Sequence, residues 1–294
     1  MSLASLFVVC RFVHFASVMQ LFGACVFSRL LAPAGFSQVL TGKNQTLILA
    51  SAVLSALTAF LMLAVQAGVM GNGWADTTNP TVWLLILMTT FGEVWRWHML
   101  LAVVALLVLL LDGLPGRFLI VLLLSTGMLL SLALIGHAAI HQGTMGIVQR
   151  SNHGLHLLSA AYWLGSLLPL LSCMSFTHQP AHRAAAITTL LRFSTLGHIA
   201  VALVVITGVI NGLMILQHWP SDWRSPYWLL LLAKVLLVAL MIGVALFNRY
   251  RLVPQLAKQP EQAQRNMIYV CWLEFALALL VIALVSLFAT LPPN

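Results

Sequence analysis

In the stretch QRSNHGLHLL, residues 149–158, two histidines stand three residues apart at the entrance of an otherwise apolar helix. Three residues nearly complete a turn, so His153 and His156 share one helix face. Imidazole is the commonest protein ligand for copper, zinc, nickel and iron, and nearby thioether or thiolate sulfur shifts the preference toward Cu(I). Just upstream, LIGHAAIHQG supplies His137 and His141, so four imidazoles flank one short connection. RFVH near the N-terminus adds His14, with Cys10 four residues before it on the same face. Met19, Met70, Met99 and Met145 lie near these histidines, although most of the 12 methionines are filler in so apolar a chain. Two readings stand for His153 and His156: a metal-binding pair, or a helix-entry pair making only caps and interhelical hydrogen bonds. For His14 the second reading is an interhelical donor.

What must position these side chains is a membrane bundle. Of the 294 residues, 61% are hydrophobic and 7% charged, against roughly 25% charged in a soluble domain. A span needs ~20 apolar residues. Eight segments qualify, at about 4–31, 47–71, 93–111, 117–140, 152–175, 194–216, 227–248 and 268–291. The run 82–91 is too short to span and is expected at an interface beside Trp83, Trp95 and Trp97. The fold class is therefore all-α: one polytopic membrane domain over residues 1–294. The first apolar run, interrupted by Arg11 and His14, is expected to stay as an uncleaved helix.

The basic residues give an orientation. Arg29, Lys43, Arg117, Arg183, Arg192, Arg249, Arg251, Lys258 and Arg265 fall at one end of the spans, and Arg96, Arg150 and Arg224 at the other. The positive-inside rule puts the first set in the cytoplasm and both termini in the periplasm. The net charge of +8 then reflects topology, with no nucleic-acid partner implied. Ionisable groups within the spans cost at least ~2.5–3.5 kcal/mol at mid-membrane and are functional candidates: Arg11, His14, His98, His156, His198, Lys234 and Glu274. Most histidines gather in the outer half. His178 and His182 belong to a basic inner loop. His198 and Glu274 lie at matching inner depth, where they are expected to pair.

The four cysteines form no CxxC pair, so no disulfide framework is expected. There is no Walker motif, GxSxG or HExxH. Six acidic residues in the whole chain exclude an ATPase or a two-metal hydrolase. RFVHFASVMQLFG, LIGHAAIHQG, NHGLHLLSAAYWLGSLLPL, RFSTLGHIAVALVVITGVING, LLAKVLLVALMIGVALFNRY and the glutamate of the last span occur in that order. Together they resemble the CopD/PcoD copper-resistance family of inner-membrane proteins. That resemblance implies eight helices, copper as cargo, and a periplasmic CopC-type copper carrier as partner alongside membrane lipid. The family pattern falls on Arg11, His14, His137, His153, His156, His198, Lys234, Asn248 and Glu274, while His98, His141 and His218 lie outside it.

Three functions remain open at this stage. The first is uptake or delivery of copper from periplasm to cytoplasm, through sites built on His14, His137, His153 and His156. The second is a haem b- or quinone-linked redox role in copper homeostasis. There His14, His137, His153, His156 and His198 would ligate haem, and Arg11 and Lys234 would hold propionates. The third is a copper sensor or scaffold. Asn248 and Glu274 enter as accessory groups, Glu274 as a counter-charge or proton carrier. Whether the protein is an enzyme stays open.

Overall fold

The computed structural model describes residues 2–136, 141–216, 224–255 and 259–291. Among these the chain is helical throughout, with no strand. In order come α1 (Leu3–Cys25) with a π-helical extension Val26–Leu31, α2 (Ala34–Met70), a 3₁₀ turn Trp74–Thr78, α3 (Pro80–Leu87), α4 (Thr90–Leu110) and α5 (Arg117–Leu132). Then follow α6 (Gly143–Gly165), α7 (Leu167–Met174), a 3₁₀ turn Ser175–His178, α8 (Arg183–Leu216), α9 (Pro226–Phe247), a π turn Asn248–Leu252, α10 (Val253–Gln255) and α11 (Pro260–Phe288). The helix starts are written locally. Ser2, Asn79, Thr89 and Ser225 each accept an N–H of the first turn that follows. Pro80, Pro226 and Pro260 occupy first-turn positions, where no N–H is needed.

Among the described residues seven helices are long and apolar enough to cross a membrane. The segment expected over 117–140 is helical over Arg117–Leu132, 16 residues or about 24 Å, a little short of a ~30 Å hydrocarbon layer. Its ends still reach opposite ends of the bundle. Arg117 donates to the Leu109 carbonyl at the end of α4, and Ser131 meets His98 in the first half of α4. Contacts fix the remaining alternation. Leu3 lies against Gly68 near the end of α2, and Gly23 against Gly165, so α1 and α6 run parallel. Tyr162 donates to the Phe193 carbonyl and Asn152 to the Thr207 carbonyl, which makes α6 and α8 antiparallel. Gln264 donates to the Met174 carbonyl, and the Phe288 ring meets Tyr227. Among the described residues the seven long helices and the shorter α5 therefore alternate in direction along the bundle, and Leu3 and Phe288 lie at the same end.

Several helices outrun the apolar windows that announce them. α2 begins 13 residues before position 47, and α8 begins 11 before 194, because helix hydrogen bonding continues into amphipathic sequence that hydropathy ignores. α6 likewise starts at Gly143, so His153 and His156 sit three turns inside a helix rather than at its entrance. The short run 82–91 is α3 followed by a break, in keeping with its length.

The bundle is inside-out relative to a soluble protein. Leu123, Leu213, Leu236 and many other large apolar side chains face outward, while His14, His98, Asn44, Gln149 and Glu274 are buried. α1 forms the axis, packed by α2, α5, α6 and α11. Its crossing with α6 is made at glycines. A Cβ on Gly165 would lie 1.9 Å from the Met19 carbonyl oxygen, and one on Gly23 2.2 Å from the Gly165 carbonyl carbon. Pro169 in α7 has no N–H for the carbonyl four residues back, that of Gly165. Gln20 of α1 supplies the missing donor, its Nε2 lying 2.7 Å from that oxygen.

Two outcomes are expected from this architecture. Gln20→Leu should destabilise the bundle by about 1–3 kcal/mol, the cost of an unsatisfied buried carbonyl. Pro169→Ala should restore part of the loss by returning a local N–H, a rescue readable in detergent unfolding midpoints. The second concerns the turn after α2. There Asp76 accepts from the Asn72 N–H at 2.6 Å and from the Asn79 amide at 3.1 Å. These bonds, the Asn72 one first, hold its carboxyl below the usual aspartate range. The order it gives is present above that range and lost as pH falls through the lowered value. Amide exchange at Asn72, corrected for intrinsic rates, should accelerate at acid pH, and Asp76→Asn should behave at neutral pH as the acid wild type does.

Candidate functional site

Inside an apolar bundle an imidazole keeps its place only if both ring nitrogens are engaged or one is aimed at a ligand. Three groups of polar side chains meet that description, and they lie in different parts of the molecule. The first joins α1 to α4. His14 and His98 are fully buried, with Nε2 facing Nε2 at 2.8 Å. His14 Nδ1 lies 2.9 Å from Thr58 Oγ1 on α2, and His98 Nδ1 lies 2.7 Å from Ser131 Oγ on α5. Trp95, one turn before His98, stacks on its ring at 4.7 Å with planes 7° apart. The Trp95 indole is pinned by donating to the Ala59 carbonyl at 3.0 Å, and Phe91 stacks on its other side. Four helices thus hold two rings rigidly.

The second group is the half-buried pair of α6. His153 and His156 stack with planes 14° apart and centroids 6.2 Å apart, facing α8. Thr207 gives its hydroxyl proton to the Leu203 carbonyl. It therefore accepts from His156 Nδ1–H, 3.0 Å away, leaving His156 Nε2 with a lone pair. Asn152 donates to Asn211 Oδ1 at 2.9 Å, which turns the Asn211 amide nitrogen toward His153 Nδ1 at 3.2 Å. His153 is thereby an acceptor at Nδ1 and a donor at Nε2. One imidazole of the pair offers a lone pair, and the other offers one only by giving up Asn211. Gly208 makes room for the His156 ring, since a Cβ there would touch Cε1 at 3.4 Å. Lys234 of α9 and Arg11 of α1 carry their charges near this pair. Lys234 Nζ stands 6.0 Å from the Phe288 ring, and the Arg11 guanidinium 5.2 Å from Phe15.

The third group lines a cavity of about 1020 Å³ at the opposite end, between α6, α7, α8, α9 and α11. His198, Asn248 and Glu274 all border it. Asn248 Oδ1 and Glu274 Oε1 are buried without a partner. The expected pairing of His198 with Glu274 is not made. His198 Nδ1–H instead donates to the Ser194 carbonyl at 2.7 Å, and its Nε2 meets Tyr250 at 3.4 Å. Among the described residues the salt bridge is Arg117–Asp112.

His14 is therefore drawn to His98 on α4, while His153 and His156 turn to α8. His137 and His218 lie outside the described residues, so its facing of the α6 pair across the turn does too. His141 engages Gln149 at 2.9 Å. His98 falls outside the sequence motifs, yet it completes the His14 contact. Its signal was depth: α4 begins at Thr90, which sets His98 eight residues in, comparable to His14 eleven residues into α1. Asn152, Thr207 and Asn211, which fix the α6 tautomers, were also passed over, although Thr207 and Asn211 are four apart on one face. Among the described residues no three His, Cys, Asp or Glu side chains converge on a metal-sized site. Nor do the described pairs fit bis-imidazole haem, whose ligands approach opposite faces of the macrocycle. His14 and His98 leave no space between them, and His153 and His156 project from the same face of one helix.

The tautomers are directly measurable. In ¹⁵N imidazole spectra, His156 should carry its proton on Nδ1 and His153 on Nε2. Asn211→Leu should release the His153 preference while sparing that of His156. Identical tautomers in wild type and variant would contradict the hydrogen-bond assignment.

The whole chain has relatives with this organisation. Residues 1–147 match the family model described as copper resistance protein D-like, N-terminal domain, and residues 187–288 match copper resistance protein D. The chain is 38% identical over 294 residues to the inner membrane protein YebZ of Escherichia coli K12, covering 99% of both. It is 28% identical to the copper resistance protein D of Pseudomonas syringae pv. tomato, over 97% of this chain and 96% of that one. It is also 28% identical over 240 residues to the copper transport protein CutJ of Bacillus subtilis 168, over 77% of this chain and 43% of that protein. No solved structure matches. The full-length similarity and the two family matches, on a bundle of membrane-length helices, make the chain a multi-pass inner-membrane member of the copper resistance protein D family.

Proposed function

We propose that the protein, acting as one membrane unit over residues 1–294, takes up copper ions at the end of the bundle where Leu3 and Phe288 lie and delivers them toward the opposite end. The distribution of basic residues supports the first end as the periplasmic one, with Arg183, Arg192, Arg249, Arg251 and Arg265 at the opposite, cytoplasmic end. The observation that carries the reading is the α6 pair. His156 presents an Nε2 lone pair, and its Nδ1–H is anchored to Thr207 in the manner of a metal-ligating imidazole with an oriented second nitrogen. Relatives named for copper resistance and copper transport supply the cargo. His137 joins this pair in the proposal, and His14 follows it at similar depth, sealed from solvent. A separate periplasmic CopC-type carrier is the proposed donor. Lys234 and Arg11 near the pair repel a cation and so limit how long copper rests there, which favours passage over storage.

At the inner end, Glu274 and Asn248 offer oxygen acceptors without protein partners to whatever enters the cavity. The same cavity supports a second reading, a quinone-linked redox role. A space of about 1020 Å³ with apolar walls and buried acceptors suits an amphipathic ring compound.

His153→Ala and His156→Ala should each lower copper accumulation, measured by elemental analysis of cells carrying equal amounts of membrane-inserted protein, by several-fold. Wild-type copper content in both variants would remove the α6 pair from the function. Glu274→Gln, which keeps shape and loses charge, should slow accumulation while leaving copper bound at the outer end. If Glu274→Gln instead abolishes binding of a ubiquinone analogue and leaves copper accumulation intact, the quinone reading takes precedence.

A further inference from the structure

The His14–His98 pair is more specific than an interhelical hydrogen bond. Thr58 has one hydroxyl proton, and it goes to the Leu54 carbonyl at 2.6 Å. Toward His14 Nδ1 it therefore accepts, and His14 carries its proton on Nδ1. Ser131 gives its proton to the Met128 carbonyl at 2.7 Å, so His98 likewise carries its proton on Nδ1. Both rings thus turn an Nε2 lone pair toward the other at 2.8 Å. Two lone pairs at that distance repel unless something electropositive lies between them.

The geometry points to a two-coordinate Cu(I) ion held between His14 Nε2 and His98 Nε2, an assignment that rests on the copper reading above. Two neutral nitrogen donors in line, with no third His, Cys or carboxylate converging among the described residues, suit a closed-shell monovalent ion that accepts linear coordination. They do not suit tetrahedral Zn²⁺ or tetragonal Cu²⁺. A metal–imidazole bond of about 2 Å requires the nitrogens to part by about 1 Å to admit the metal. The outer shell is in place: Thr58 and Ser131 each orient a ring through its Nδ1–H, and Trp95 clamps His98 from one side. Both ligands are fully buried, which shields Cu(I) from water and oxidants. His14 lies eleven residues into α1, about 17 Å along its axis. By the same measure His153 and His156 lie ten and thirteen residues into α6, so the two histidine pairs stand at similar depth near mid-bundle, the His14–His98 pair sealed and the α6 pair half-buried. It takes copper only in the reduced state, so the cargo crosses as Cu(I).

The test uses full-length protein in detergent, loaded anaerobically with Cu(I) against bicinchoninate as competitor and examined by copper K-edge X-ray absorption. The double variant His153→Ala/His156→Ala removes the entry pair. It should still bind one Cu(I), with the sharp edge feature of linear coordination and two imidazoles. Adding His98→Ala should weaken that copper at least ten-fold and abolish the feature. Because His98→Ala risks misfolding, Ser131→Ala serves as a milder change and should weaken the site several-fold while the helices stay folded. A double variant with three or more ligands to copper, or a linear feature that survives His98→Ala, overturns this site and leaves copper handling standing. Wild-type protein that binds no Cu(I) overturns both, and a neutral N–H···N bond then joins the two rings.

Discussion

A polar atom inside hydrocarbon has no water to fall back on, and that constraint organises this molecule more than any single contact. Pro169 strips the Gly165 carbonyl of its helical donor, and Gln20 reaches across from α1 to replace it. That bond is possible because Gly23 and Gly165 let the two backbones approach without side chains between them. The crossing fixes α1 as the axis of the bundle, and the axis sets where Arg11, His14 and Gln20 face. The polar groups are therefore not scattered through an apolar body. Each is placed by the need of another.

The same logic distinguishes the two histidine pairs. His153 and His156 share a helix and look toward α8, where Asn211 and Thr207 assign them different tautomers. They are half-buried and near two cations, which suits capture and release. His14 and His98 come from different helices, are sealed from solvent, and have identical tautomers imposed by Thr58 and Ser131. A site that receives must be reachable, whereas a site that holds a reduced metal in transit must be closed. In the proposed function the α6 pair is the receiving site and the His14–His98 pair the closed one, with a large cavity bearing Glu274 and Asn248 at the other end.

The charge arrangement supports this division. Arg11 and Lys234 lie near the entry pair, each also beside an aromatic ring, Phe15 and Phe288. No carboxylate among the described residues pairs with either. In the proposed function, uncompensated positive charge near the α6 pair keeps resident copper binding there weak. Glu274 is the buried carboxylate at the far end, in a cavity that Arg183 and Arg249 also line.

Fold class and family order were legible in the chain itself, because hydrocarbon thickness sets span length and a charge deficit this severe admits one environment. Of the eight expected spans, seven are membrane-length helices among the described residues and the one over 117–140 is shorter. The pairing of His153 with His156 was legible for the same local reason: three residues make nearly a turn. His98 was not, because nothing in the linear order relates position 98 to position 14, and its motif-free setting beside Trp97 reads as an interface residue. Its role depends on α4 beginning at Thr90 and packing against α2 and α5, which brings His98 to His14, a matter of packing between helices. The tautomers of all four histidines were equally out of reach, since each is decided by a hydroxyl or amide on another helix. Sequence determined which groups would be forced to seek partners in an apolar solvent; only the tertiary structure decided which partners they found, because interhelical distances, unlike helical periodicity, are not encoded by neighbours in the chain.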